Sequence, residues 1–383
     1  MFIAAALIYV ARRPQVLLQP EFRGEDGQIF YLGTYFLSPL ASLFTPWAGF
    51  LHVVPRAVAL LERLVPVAAA PLVGNLAAVL IVAAVATYVA TRLDVEPPIR
   101  LALAGLVLVL PGVTETHGQI AWIPWYLAAF LVAVPLSRRP GSQVGRWVEV
   151  GAVLVAGLGA PLIIVIAPIY LVARRRLLAA ASLGALAQVA VALTNPRLPP
   201  ASTAGDVLPF VAIRGIAEPF LGGRIITSEH LEGRLLLACA VGALVLLGVR
   251  RAPRRWLLLA AYTWAATLLA VLLKTGDPLA ILADGEAGNR YFFLPGLAIT
   301  GLVVAVAIRQ RTPAAVALCA LLSLGIVADF GIEPHPYLDW ADRSACVGGP
   351  TPCVVPVYPE QLYSLRWPGP HGSYDPGPMT GVP

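Results

Sequence analysis

The chain has 383 residues, of which 58% are hydrophobic and 13% charged, with a mean hydropathy of +0.78. A soluble domain carries about 25% charged residues, so a soluble globular enzyme is excluded. The net charge of +6 would suggest nucleic acid in a soluble protein; here it records topology, because basic residues collect in cytoplasmic loops, and no nucleic acid is expected as a partner.

The apolar runs are continuous rather than alternating every second residue, which argues against a β-barrel. They predict an all-α polytopic membrane protein surrounded by lipid bilayer, with outer-face loops and short amphipathic helices. In chain order the predicted passes are 1–10, 68–91, 101–111, 119–136, 177–194, 235–249, 256–273, 292–308 and 314–330. Residues 147–173 hold no acidic residue but Glu149. They predict two short arms turning near Gly157-Leu158-Gly159. The first run is too short to span a core of about 30 Å, so it either extends over Val16–Leu18 or begins upstream. The total is about eleven passes at this core thickness.

Five arginine clusters punctuate the runs, at 91–100, 137–146, 173–176, 250–255 and 309–312. Together they hold 14 basic residues and two acids, Asp94 and Glu96, while the rest of the chain holds 13 basic and 19 acidic residues. Placing the clusters in the cytoplasm puts the N-terminus inside and the C-terminal tail outside. The domain reading is a transmembrane domain over 1–330 and an extracytoplasmic Pro/Tyr/Trp-rich tail over 331–383. That tail is expected to be disordered from about residue 368. Cys346 and Cys353, seven apart in it, predict a disulfide in an oxidising compartment. Cys239 and Cys319 sit in apolar runs as small buried hydrophobes.

The polar chemistry lies in the outer segments 12–67, 113–118, 195–234 and 274–291. Glu25 and Asp26 stand before a segment in which Ile29, Phe30, Leu32, Tyr35, Phe36 and Leu37 can form the buried side of an interfacial helix. A carboxylate there suits proton removal from a hydroxyl acceptor; the plainer alternative is that Asp26 caps the helix and Glu25 is solvated. His52 and Arg56 follow, as headgroup and phosphate contacts or as an aromatic belt with a snorkelling arginine. Glu115 and His117 share a turn beside Trp122 and Trp125. They are two ligands of a conceivable divalent metal site that stays incomplete, or an ordinary polar turn. Trp122 and Trp125 could stack on a sugar. Arg290, ahead of Tyr291, fits a phosphate at the headgroup level, or anchors the membrane edge. No ionisable residue falls at the middle of a pass, which weighs against an ion-coupled transporter.

Glu25-Asp26 in the first outer loop, the many passes and the run RRP…EDG…PWAGFLHVVPR with the later NRYFFLP resemble the GT-C superfamily of membrane glycosyltransferases, in a bacterial branch. By motif the resemblance covers about residues 12–130 and 280–300, and elsewhere it rests on topology. It implies a sugar transferase of the bacterial inner (cytoplasmic) membrane. The donor would be a polyprenyl-phosphate-linked sugar, and the acceptor a hydroxyl on a glycan, lipid or protein. Asp26 or Glu25 would act as base, Asp26 being favoured, with inversion at the anomeric carbon. Arg290, with Arg56, would meet the departing phosphate. A divalent metal serves some members; none can be placed here. The chain lacks the sizeable C-terminal soluble domain of larger members. The alternatives are a polysaccharide polymerase or ligase using Arg197, Arg214, Arg224 and Arg234, and a lipid-linked glycan flippase or transporter.

Overall fold

The computed structural model describes residues 1–195, 204–227, 230–272, 282, 288–359 and 363–373. Arg197, the remainder of the loops around it and after 272, and the tail beyond 373 lie outside the described residues. The chain is mostly helical. The main helices are α1 (Phe2–Arg12), α2 (Val53–Glu62), α3 (Ala70–Arg92), α4 (Pro97–Val109), α5 (Ile123–Ala133) and α6 (Gln143–Gly159). They continue with α7 (Ile163–Ala173), α8 (Leu178–Thr194), α9 (Leu231–Val249), α10 (Arg254–Leu272), α11 (Phe293–Gln310) and α12 (Pro313–Asp329). Among the described residues five helical stretches are long and apolar enough to cross a bilayer; they contain α3 and α8 to α11.

Local chemistry sets the boundaries. Proline in the first turn opens α3, α4 and α12, where its missing N–H costs nothing. Ser142 and Thr312 accept the amides of Gly145 and Ala315 to cap α6 and α12. Gly157 of α6 and Gly184 of α8 face one another; a Cβ on Gly184 would lie 3.0 Å from the Gly157 Cα. Small residues let two apolar helices approach this closely where lipid gives no hydrophobic drive. The α6–α7 turn falls at Ala160–Leu162.

The arginine clusters meet at one end of the bundle. Leu93 bridges Ser137, Arg174 pairs with Glu149 at 2.7 Å, Arg309 pairs with Glu96, and Gln310 donates to the Arg251 carbonyl. The opposite end carries most of the acids. There α1 stops at Arg12, and Gln15–Leu18 forms a separate turn, so Val16–Leu18 do not lengthen the first helix. Arg12 and Arg13 are buried. Arg12 donates to the carbonyls of Leu108, Asp329 and Phe330. It thereby supplies donors and positive charge to the C-terminal ends of α4 and α12. Asp329 completes the junction by accepting the amides of Gly112, Gly223 and Arg224.

Two expectations are corrected. Residues 26–31 form a π-helical turn buried on every side, not an interfacial helix, because Ile29 and Phe30 pack against Ala59 and Ala121 while the tail covers Tyr31 and Leu32. The tail also departs from all-α: β1 (Cys353–Val357) and β2 (Tyr363–Trp367) pair antiparallel. Alternating side chains place Val355, Val357, Leu365 and Trp367 inside, against Phe22, Tyr31 and Trp340. Cys346 and Cys353 are joined in a disulfide.

Candidate functional site

The site grows from the first loop at the acidic end. Gly24, at φ +49°, turns the chain and donates its amide to the Tyr358 carbonyl at 2.8 Å. Two adjacent carboxylates then point different ways. Asp26 accepts the amides of Ala121 at 2.8 Å and Ile120 at 3.3 Å. These amides belong to the turn that enters α5 and carries Trp122. Asp26 therefore fixes that turn and does not line the cavity. Burial pushes its carboxyl up to about 8, opposed by the two amides. Glu25 lines a cavity of about 420 Å³ and accepts the Tyr363 hydroxyl at 3.4 Å. Asp26 does not cap its own helix, since its oxygens accept the Ile120 and Ala121 amides, and Glu25 is not solvated, being 5% exposed.

Glu25, His52, Trp122, Trp125, Arg290 and Tyr291 all border this one cavity. Arg290 pairs with Glu115 and donates to the Tyr291 hydroxyl at 3.1 Å. Its guanidinium carbon stands 4.1 Å from the Trp122 ring centroid. Asn289 binds the facing turn, donating to Thr114 Oγ1 and accepting the Glu115 amide. Trp125 and Tyr291 meet edge to face. His52 is fixed by its contact with the Phe50 carbonyl. The far side is apolar, built from Ala192, Leu269 and Ala270 and from Pro161, Leu162, Ile164 and Val165 at the α6–α7 turn.

Other sequence candidates stand behind the wall. Arg56 is 1% exposed with its guanidinium 5.3 Å from the Phe30 ring. His117 stacks on Tyr9 at 3.7 Å, and neither ring nitrogen has a hydrogen-bond partner among the described residues. Burial holds it neutral, well below the usual histidine range. Glu115 and His117 thus face different partners, and no group of three His, Cys, Asp or Glu suited to a metal exists among the described residues. The arginines of the polymerase alternative have structural partners: Arg214 with Glu218 at 2.7 Å, Arg224 with the Ala328 carbonyl, and Arg234 with the Thr227 carbonyl.

Two residues escaped the sequence reading. Glu62 is fully buried, with neither carboxylate oxygen hydrogen-bonded among the described residues. Burial and then the charge of Asp26 drive its carboxyl well above the usual range. It shares the buried face of α2 with Val58 and Ala59, four and three positions earlier, and that helical spacing was the available signal. Tyr363 reaches Glu25 from the tail; its alternation with Leu365 and Trp367 marked a strand but nothing local marked its partner. No family model, curated protein or solved structure matches the chain.

Proposed function

We propose that the chain is a membrane glycosyltransferase of the GT-C type, drawing a sugar from a polyprenyl-phosphate donor at the acidic end of its helices. The observation that carries the reading is that Glu25 and Arg290 border one aromatic-walled cavity that continues into apolar helix surface. A polyprenyl-phosphate sugar has the same order of chemistry: chain, phosphate, sugar. In this reading the chain lies along Leu269 and Ala270, the phosphate meets Arg290, and the sugar faces Trp122 and Trp125. The acceptor hydroxyl gives its proton to Glu25 as its oxygen attacks the anomeric carbon from the side opposite the phosphate. The bond from that carbon to the phosphate oxygen breaks. Its electron pair leaves with polyprenyl phosphate, and Arg290 stabilises the charge that grows there. Attack from the opposite side inverts the centre.

Glu25 takes the base role in place of Asp26, because both Asp26 oxygens hold the α5 turn. Glu115 aims Arg290 and leaves further guanidinium donors for the phosphate. About eleven passes through a core of about 30 Å, a cytoplasmic N-terminus and an outer tail belong to the same reading, in a bacterial cytoplasmic membrane. The test is incubation of reconstituted protein with a panel of polyprenyl-phospho-sugars and glycan, lipid and peptide acceptors, reading released polyprenyl phosphate. Consumption by the wild type and not by Glu25→Gln supports the proposal. Failure to bind or consume any of these donors removes it.

A further inference from the structure

A second cavity, of about 580 Å³, opens at the basic end of the bundle, between α3, α4, α5, α10 and α11. Its inner wall is apolar. On α11 both Leu294 and Ala305 line it, eleven residues apart, so it runs about 16 Å along the axis at 1.5 Å per residue. The groove therefore has the length of one acyl chain entering from the basic side.

The mouth is cationic. Arg138, Arg139, Arg174 and Arg255 border the groove, with Asp94 as the opposing charge. Arg174 is committed to Glu149 and to the Ser137 carbonyl. Arg138 lies 3.8 Å from Asp94, and both are largely exposed. Arg139 and Arg255 are exposed, and neither forms an ion pair with a described carboxylate. Trp256 stands beside them, as aromatic side chains do at headgroup level.

We infer that this groove binds an anionic diacyl phospholipid of the adjacent leaflet, one acyl chain lying along α11 and the phosphate held by Arg139 and Arg255. Basic pockets between transmembrane helices select anionic headgroups by this charge complementarity. A zwitterionic lipid would bring its own cation against the arginines. A polyprenyl phosphate carries a single chain much longer than this groove of about 16 Å. The site lies at the other end of the molecule from Glu25 and does not depend on the reaction proposed there.

The test uses the delipidated full-length protein and native mass spectrometry, with phosphatidylglycerol and phosphatidylcholine of identical acyl chains in equal amounts. Phosphatidylglycerol is expected to be retained about tenfold or more over phosphatidylcholine, because both bring a phosphate but only phosphatidylcholine brings a cation against Arg139 and Arg255. Arg139→Ala with Arg255→Ala should abolish that preference. Ala298→Phe, which fills the groove and keeps its charges, should expel the lipid. Arg175→Ala with Arg176→Ala, exposed at the same end but outside the groove, should leave the preference intact. Equal retention of the two lipids overturns the inference, as does a preference that survives both groove variants. Displacement of phosphatidylglycerol by an equal amount of undecaprenyl phosphate would overturn the assignment to a phospholipid.

Discussion

Tyr363 donates its hydroxyl hydrogen to Glu25 Oε1 across 3.4 Å, joining residues 338 positions apart. Burial first, and the Glu25 charge next, push the tyrosine hydroxyl up, so it remains a donor at any working pH. The tail thus backs the proposed base with a hydrogen-bond donor, while no described tail residue lines the cavity itself. Tyr363→Phe removes the donor and little volume. Loss of a hydrogen bond to a charged group costs about tenfold at the weak end of its range, and the long contact belongs at that end. We expect about a tenfold fall in kcat with donor KM unchanged, against about 10²–10⁴-fold for Glu25→Gln. Unaltered kcat in steady-state kinetics of Tyr363→Phe would leave the tail as a cover only.

The buried carboxyls make stability depend on pH in a predictable direction. The Asp26 carboxyl moves from 3.8 in the unfolded reference to about 8 in the fold, and Glu62 moves the same way from 4.5. Between these limits the folded state binds more protons than the unfolded state, so stability falls as pH rises from about 4 towards 8. His117 is driven below its ordinary 6.5, so the unfolded state binds the extra proton and stability falls as pH drops through that value. Thermal melts should therefore weaken on both sides of a maximum. Glu62→Gln should flatten the alkaline side, and His117→Phe, which keeps a ring against Tyr9, the acid side. Wild-type profiles in both variants would rule out this account.

The sequence carried the arginine clusters and the helical character because each is written locally, in charge and apolar length; the break between α6 and α7 falls just beyond the expected glycines, at 160–162, because Gly157 and Gly159 stay within α6. It did not carry the partners of Arg12 and Arg13. A paired arginine after eleven apolar residues reads as a membrane edge, while its carbonyl acceptors lie far along the chain, on α4, on α12 and in the segment after α12. Glu25 and Asp26 were visible as a pair, but their division of labour was not. It depends on the amides of Ile120 and Ala121, which only tertiary packing brings to Asp26. Trp122, Trp125, Arg290 and Tyr291 were readable as polar-aromatic loop residues, whereas their convergence on one cavity depends on how α5 and α11 pack.

Arg290 should be sensitive to shape as well as charge. Its guanidinium pairs with Glu115, meets the Tyr291 hydroxyl and lies over the Trp122 ring. A planar fork can do all three while still offering donors to a phosphate; a lysine ammonium cannot. Arg290→Ala is expected to weaken donor use by about 10- to 150-fold, the span of a lost charge-assisted bond. Arg290→Lys should recover only part of this. Glu115→Gln should cost less than Arg290→Ala, since the cation remains. Donor KM and kcat measured across the three variants check this order, and full recovery by lysine would assign Arg290 a point-charge role alone.

The disulfide between Cys346 and Cys353 should govern the same contact from a distance. Within its loop the Gly349 amide binds the Cys346 carbonyl, and the Gly349 carbonyl accepts the Trp367 indole N–H at 2.9 Å. Trp367 lies on β2 with Tyr363, so the crosslinked loop steadies the strand that presents Tyr363 to Glu25. A loop this short contributes on the order of 2–3 kcal/mol on the chain-entropy scale. In a Cys239→Ser, Cys319→Ser background, an impermeant maleimide should label intact cells only after reduction, as an outer tail requires. Reduction should also lower kcat, and do so much less in Tyr363→Phe, because two changes acting through one contact are not additive. If reduction costs the same in both backgrounds, the loop acts on something other than Tyr363; if labelling fails even after reduction, the tail is not outside.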